Sequence, residues 1–202
     1  MNYKIIFATG NEGKMREIRL IMADLGLEIL SMKEAGIKVE VEETGTTFGE
    51  NALLKAKAVW EQCGGIVLAD DSGLVVDCLN GEPGIYSARY LGEDTSYEIK
   101  NQVIIDRVDQ AASKNRAARF VCDIAAVLPD GSTRITEAAM EGEIAHEPAG
   151  EAGFGYDPIL YIPEFHATGA QLTMEQKNQI SHRGKALEQM KIQIRKWLGE
   201  EV

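Results

Sequence analysis

The sequence predicts an α/β fold built on a mixed β-sheet flanked by helices, and three stretches carry that expectation. Residues 3–26 run strand, glycine-bearing turn, helix. Ile66-Val67-Leu68-Ala69 is an apolar run bounded by charge, and residues 118–144 read as a long hairpin. The first two fit parallel strands with crossover helices, because a strand covered on both faces is apolar throughout. The third makes the sheet mixed, since alternating runs joined by Pro129-Asp130-Gly131 return antiparallel.

In order, residues 3–8 form a strand and Thr9-Gly10-Asn11-Glu12-Gly13-Lys14 a polar turn. The helix that follows has Met15, Ile18, Met22 and Leu25 on one face and ends at Gly26. Residues 28–30 and 38–41 read as short strands. Thr47 and Glu50 form a capping box for a helix with Leu53, Ala56, Val59 or Trp60, and Cys63 inward, stopped by Gly64-Gly65. The strand at residue 66 is expected to end where charge begins, at Asp70-Asp71-Ser72-Gly73. Taken alone, that tetrapeptide also reads as an Asx-type turn with Gly73 at positive φ. Adjacent Asp residues on extended chain point opposite ways, so Asp70 and Asp71 need not share a job. Residues 74–78 resume as strand, 80–84 form a Gly/Pro loop, and Thr95 with Glu98 caps a helix running to about residue 108. Beyond the hairpin come a loop (148–155), a short strand (159–162), a third capping box at Thr173 and Gln176, and a closing helix striped by Leu187, Met190, Ile194 and Trp197. No linker or repeat divides the chain, so residues 1–202 are expected to form a single α/β domain.

Composition narrows the function. At 202 residues and 45% hydrophobic the chain has enough material for a substantial core. It contains no apolar run of about 18 residues, and its opening, Met1-Asn2-Tyr3-Lys4-Ile5, lacks a signal-peptide layout; a soluble, cytoplasmic protein with no membrane partner is expected. A net charge of −11 argues against a nucleic-acid polymer as partner, whereas a small anion needs only a few converging cations. Cys63, Cys78 and Cys122 read as reduced core residues. His146, His166 and His182 are too scattered for a metal site, so any metal is a hard ion held by carboxylates.

Four polar groups fall at strand ends or helix starts: Thr9 to Lys14, Glu42 with Lys55, Asp70 to Ser72, and the run from Phe154 to Arg183. Each has a plain structural reading as a turn, a solvated face or a loop-root aromatic. Jointly they supply cations for a polyanion and carboxylates for a divalent ion, the equipment of phosphoryl chemistry. The turn before the first helix is neither a P-loop nor a dinucleotide fingerprint, but it aims backbone N–H groups and a helix dipole at a possible phosphate.

Together these motifs resemble the inosine triphosphate pyrophosphatase family, which acts on non-standard purine nucleoside triphosphates. The matching stretches are Thr9-Gly10-Asn11 with Lys14; Glu42-Glu43-Thr44-Gly45 with Phe48 and Glu50-Asn51-Ala52; Asp70-Asp71-Ser72-Gly73-Leu74; and Pro83-Gly84-Ile85-Tyr86-Ser87-Ala88-Arg89-Tyr90. Phe154-Gly155-Tyr156-Asp157-Pro158 and Lys177-Asn178 with Ser181-His182-Arg183 complete the set in family order. The resemblance implies a two-lobed α/β structure with its active-site cleft between the lobes, usually a homodimer. It implies Mg2+-dependent hydrolysis of inosine, deoxyinosine and xanthosine triphosphates to the nucleoside monophosphate and pyrophosphate, cleansing the nucleotide pool.

By the same resemblance Glu42 and Asp71 are the metal positions and Asp71 the catalytic base. Thr9, Gly10, Asn11, Glu12, Gly13, Lys14, Lys55 and Ser72 hold the triphosphate; Phe154, Gly155, Tyr156, Asp157, Lys177, His182 and Arg183 form the nucleoside end. Two positions depart from the family pattern: Asp123 stands where an apolar residue is common, and Gln171 replaces a common Glu. The rivals are a pyrophosphatase for pyrimidine or modified nucleotides, against which His182-Arg183 weighs, and a nucleotide-binding sensor without catalysis, against which Glu42 and Asp71 weigh.

Overall fold

The computed structural model describes residues 3–200; Met1 and Asn2, which begin the opening expected to lack a signal peptide, lie outside the described residues. In chain order the elements are β1 (Lys4–Phe7), α1 (Glu12–Met22), β2 (Glu28–Ser31), α2 (Phe48–Cys63), β3 (Ile66–Val76) and α3 (Tyr97–Gln110). Then follow β4 (Ala117–Val127), β5 (Thr133–Ile144), β6 (Leu160–Ile162), β7 (Ala167–Thr168), α4 (Met174–Ile180) and α5 (His182–Leu198). The strands form one mixed sheet in the order β2-β1-β3-β4-β5-β6-β7. β1 is parallel to both β2 and β3, while β6 is antiparallel to β5 and β7. The mixed α/β architecture expected from the sequence is therefore present.

The chain divides into two compact units. One comprises the chain up to Asp71, Cys122–Ala138 and the chain from Arg183; the other comprises Ser72–Val121 and Ala139–His182. In the first, the period of two along β3 and β4 sorts side chains to two faces. Ile66 and Leu68, with Cys122, Ile124 and Ala126, cluster with Met15, Ile18 and Met22 of α1 and Leu187, Met190 and Ile194 of α5. Val67, Ala69, Ala125 and Val127 cluster with Ala52, Ala56 and Val59 of α2, where small side chains let helix and sheet approach closely. β4 is thus buried along almost its whole length. In the second unit Leu74, Val76, Ile104, Ile105, Val108, Phe120 and Met140 form a separate cluster that fixes α3.

Several local expectations need correction. Residues 38–41 are not a strand: Val39 and Ile37 pack beside the α2 cluster, so the alternating side chains are used without a ladder partner. Thr47 caps α2 by accepting from the Glu50 N–H at 3.1 Å, while the Glu50 carboxylate accepts chiefly from the Thr46 N–H and hydroxyl and only secondarily from the Thr47 N–H that a capping box uses. The cap of α3 is Ser96 and not Thr95, whose hydroxyl donates to the Leu91 carbonyl. The box at Thr173 and Gln176 is reciprocal as expected, yet the helix it opens stops at Ser181 and α5 begins afresh at His182. Cys63 is exposed at the end of α2, while Cys78 is half-buried and Cys122 buried. No helix among the described residues is long and apolar enough to cross a membrane.

Candidate active site

The strand does not end at the charged tetrapeptide. β3 runs through Asp70, Asp71, Ser72 and Gly73 as one eleven-residue element, and Gly73 is not at positive φ. The turn reading fails because the partners that neutralise these side chains come from distant parts of the chain, leaving the backbone free to stay in the ladder. The pleat then sends the two carboxylates to opposite faces.

Asp70 shares the face of Ile66 and Leu68. Its Oδ2 accepts from Lys14 Nζ at 2.8 Å and lies 3.4 Å from Arg183 Nε, and Arg183 Nη1 pairs with Glu17 at 2.9 Å. Asp70 and Arg183 are both buried. Burial alone would push the Asp70 carboxyl up, but Lys14 and then Arg183 outweigh it and hold the group well below the usual carboxylate range.

Asp71 shares the face of Val67 and Ala69, towards α2. Lys55 lies on α2, 3.5 Å from Asp71 Oδ1 and 2.8 Å from Glu43 Oε1, so this lysine is not the solvated-face residue its position off the apolar stripe allowed. The loop carrying Glu43 is held by a hydrogen bond from the Gly45 N–H to Asn51 Oδ1 at 2.8 Å. A Cβ on Gly45 would stand 2.6 Å from that oxygen, so the close approach requires glycine. Burial raises the Asp71 carboxyl above its ordinary value; Lys55 opposes this, Glu43 reinforces it, Asn51 again opposes it and Asp70 adds to it. Lys55 is moved up, since Asp71 and Glu43 together outweigh its own desolvation. Glu42, the expected metal position, is exposed, and Glu43 beside it is the carboxylate that reaches Lys55.

The turn before α1 is arranged as a helix N-terminus open to solvent. Thr9 Oγ1 accepts from the Asn11 N–H, and Asn11 Oδ1 accepts from the Lys14 N–H at 3.1 Å. Gly10, Asn11, Glu12 and Gly13 are exposed, and a Cβ on Gly10 would meet nothing within 4 Å. The N–H groups of the first turn not taken by Asn11 are those a bound anion uses.

In the second unit Asp157 organises the aromatic loop. Its Oδ2 accepts from the Phe154 N–H at 2.8 Å and from Lys177 Nζ at 2.6 Å, and the same ammonium lies 5.4 Å from the centre of the Phe154 ring. Gly153, at φ 78°, lies so close to this carboxylate that a Cβ there would be 2.3 Å from Asp157 Oδ2. Phe154 is 63% exposed, whereas Tyr156 is buried, its hydroxyl donating to the Ser87 carbonyl at 2.8 Å and its ring packing edge-on against Tyr97. Asn101 donates to the Gly155 carbonyl at 3.2 Å. A groove beside Phe154 is lined by Tyr97, Asn101, Pro148, Ala152 and Pro158. His182 stacks on Phe120 at 5.1 Å between ring centres, and Ser72 is half-buried on β3.

The structure thus brings Lys14 and Arg183 onto Asp70, Lys55 and Glu43 onto Asp71, and Phe154 and Lys177 onto Asp157. Arg183, placed by sequence reasoning beside His182 at the nucleoside end, belongs to the Asp70 cluster of the first unit, while His182 belongs to the second. Glu17, Glu43, Asn51 and the charge-pairing role of Asp70 were not read as site features. Glu43 and Asn51 had a signal in the motifs that contain them; Glu17, one more helical glutamate, had none. Among the described residues no three His, Cys, Asp or Glu side chains are placed to hold a metal ion by themselves.

Comparison with known proteins gives the family. The profile of the Ham1 family matches residues 5–193. The chain is 47% identical over 184 residues to a Geobacillus kaustophilus protein named dITP/XTP pyrophosphatase, covering 91% of this chain and 90% of that one. It is 44% identical to a protein of the same name from Exiguobacterium sibiricum, covering 98% and 100%. Among solved structures it is similar to a HAM1 protein from Coxiella burnetii, with a TM-score of 0.89 at 39% identity over 96% of this chain and 99% of that one. The Staphylococcus aureus Ham1 protein superposes with a TM-score of 0.86 at 43% identity over 95% and 97%. With the family profile matching residues 5–193 and the fold matched at this level, the chain belongs to the Ham1 family.

Proposed function

We propose that this protein is a nucleoside triphosphate pyrophosphatase that hydrolyses non-standard purine nucleoside triphosphates, the inosine, deoxyinosine and xanthosine forms, to the monophosphate and pyrophosphate. The observation that carries the reading is the split of Asp70 and Asp71. One carboxylate is held ionised between two cations at the start of a helix, and the other is raised by burial on the opposite face of the same strand. A carboxylate shifted upward and lodged beside a lysine suits the acceptance of a proton from water. Asp71 takes that proton as the water oxygen bonds to the α-phosphorus; the bond from that phosphorus to the bridging oxygen breaks, and pyrophosphate leaves with the bonding electrons.

The chain's cations do the rest of the phosphate work. The open first turn of α1, with Thr9, Gly10, Asn11, Glu12 and Gly13, receives phosphate oxygens, while Lys14 and Lys55 supply charge and Ser72 a hydroxyl. The donor set also fits Mg2+. Asp71 and Glu43 are hard oxygen donors, with Glu42 exposed next to Glu43 in the same loop, and the charges of Glu43 and Asp70 both repel that of Asp71, a repulsion that a cation relieves. Too few carboxylates converge for a closed cage, which suits an ion that keeps waters and takes its other ligands from substrate phosphates. When bound, Mg2+ supplies charge neutralisation on the phosphates.

At the nucleoside end Phe154 is an exposed ring on which a base can stack, with Gly155, Tyr156 and Asp157 holding its loop. Lys177 offers only donors and His182 at least one, so a 6-carbonyl base is matched and the 6-amino group of adenine is not. A donor facing a donor costs about 1–3 kcal/mol per group, and sites built on a specific hydrogen bond reject by up to about 10⁴-fold. The resemblance further suggests a homodimer acting in the cytoplasm, which sedimentation and fractionation measure. The deciding experiment is a panel of nucleoside triphosphates with Mg2+, reading pyrophosphate: inosine and xanthosine triphosphates turn over efficiently, GTP poorly and ATP hardly at all. ATP hydrolysed as well as inosine triphosphate refutes the base assignment, and no pyrophosphate from any substrate refutes the reading as a whole.

A further inference from the structure

Asp123 is a buried carboxylate that the reaction proposed above does not use, and its surroundings give it a chemical meaning. It lies on β4 on the face turned to α2, in register with the period that places Ala125 and Val127 there, and β3 presents Asp71 on this same face. The residue is only 6% exposed. One of its oxygens takes the Gly49 N–H at the start of α2, so closely that a Cβ on Gly49 would stand 3.0 Å from Asp123 Oδ2. The other, Oδ1, is buried without a hydrogen-bond partner among the described residues. Burial first, then Glu137 on β5, then Asp71 push this carboxyl up to about 6.

An unsatisfied buried oxygen in a row of like charges is destabilising, and an apolar side chain would avoid it. Lys55 does not resolve the crowding, since its shorter contact is to Glu43. A bound cation would relieve it. We propose that Asp123 supplies a second carboxylate ligand beside Asp71, so that this chain binds a divalent cation of the Mg2+ or Mn2+ class before any nucleotide arrives. The proposal rests on the preceding section for the placement of a cation at Asp71. It goes beyond it in adding a ligand and in making capture of the ion independent of substrate phosphates, since two carboxylates with retained waters suffice for a hard ion.

The test is titration of the nucleotide-free protein with Mn2+, followed by loss of the free-ion electron paramagnetic resonance signal, for wild type, Asp123→Asn and Asp123→Val. Wild type binds one Mn2+ per chain, displaced by Mg2+, and both variants bind at least about tenfold more weakly, as loss of a coordinating or supporting group does. Thermal melting gives a second readout: at the same Mn2+ concentration the midpoint of wild type rises by linkage more than that of Asp123→Val. Equal affinity in all three proteins, or no binding to wild type at millimolar Mn2+, overturns the assignment. If Asp123→Val fails to fold, the isosteric Asn variant decides alone. Neither readout uses hydrolysis: a chain that binds Mn2+ through Asp123 but releases no pyrophosphate keeps this inference and loses the reading above. The reverse pattern does the opposite.

Discussion

Replacing Asp70 with Asn isolates what the Lys14–Asp70–Arg183 cluster does for the fold. The Asp70 and Arg183 side chains are 2% and 4% exposed, so the substitution strips a buried guanidinium of one of its two anions. Removing one partner of a buried pair costs about 3–5 kcal/mol. Two features place the loss near the lower end: Arg183 keeps Glu17 at 2.9 Å, and Lys14, with 23% of its side chain exposed, can turn to water. At about 3 kcal/mol, and about 2–4 °C per kcal/mol for a chain of this size, the melting midpoint falls by about 6–12 °C at neutral pH.

The pH dependence of that gap is the sharper reading. The folded-state pKa of Asp70 is depressed, so its contribution is complete above the unfolded value of about 3.9 and is lost as pH falls through the folded value. Asn does not titrate. The difference between wild type and variant is therefore flat from pH 7 to about 5 and closes as the solution is taken well below pH 4. Melting curves by circular dichroism across that range measure it directly. A gap under about 1 kcal/mol at pH 7, the worth of an exposed pair, would refute the buried-cluster account; so would a gap that stays constant into strong acid.

Two further expectations concern chemistry. Asp71→Asn lowers turnover by about 100-fold or more while triphosphate affinity, read by equilibrium binding, stays within about tenfold, because a proton acceptor or metal position acts chiefly in the transition state. A variant retaining a tenth of the wild-type rate would remove Asp71 from that role. Lys55→Ala takes away a cation that pulls the Asp71 carboxyl down, so the acid limb of the pH–rate profile moves to higher pH. An unmoved limb would mean that Asp71 is not the group titrating there.

Much of the first unit was legible because its elements are written in local pattern. The stripe of Met15, Ile18 and Met22, the stripe of Leu187, Met190 and Ile194, and the stop at Gly26 all reappear as the faces and end that pack. The box at Thr173 is likewise a local agreement between cap and third residue. What failed was β3. Asp, Asp, Ser and Gly are poor strand formers, and the residues that make them tolerable there lie 56 and 113 positions away, at Lys14 and Arg183. Tertiary charge pairing overrides propensity in a central strand, and no local window contains it. Residues 38–41 failed in the opposite direction, since they have the alternation of a strand but no neighbouring strand to pair with. At the site, the residue types were visible and their grouping was not: Arg183 follows His182 in sequence, yet the two side chains serve different clusters because neighbours in the first turn of α5 point about 100° apart.

The consequence of a charged dipeptide inside a strand goes further than placement. Two identical side chains one residue apart begin with the same intrinsic acidity, and on a turn they would share one solvent-exposed environment. On a pleated strand buried on both sides they cannot, because a period of two makes neighbours belong to opposite faces. The face towards α1 and α5 meets Asp70 with two cations and lowers it; the face towards α2 meets Asp71 with one cation shared with Glu43, and burial raises it. A pair of carboxyls whose environments drive them apart is how a single site obtains both a fixed anion and a group that exchanges protons. The assignment of roles is thus set by register and not by residue type. A slip of β3 by one residue would exchange the two environments while changing no side chain, and it would also carry Ile66, Val67, Leu68 and Ala69 to the wrong faces of a core that is closed on both sides. The apolar run ahead of the dipeptide therefore fixes which aspartate is held ionised and which is raised by burial.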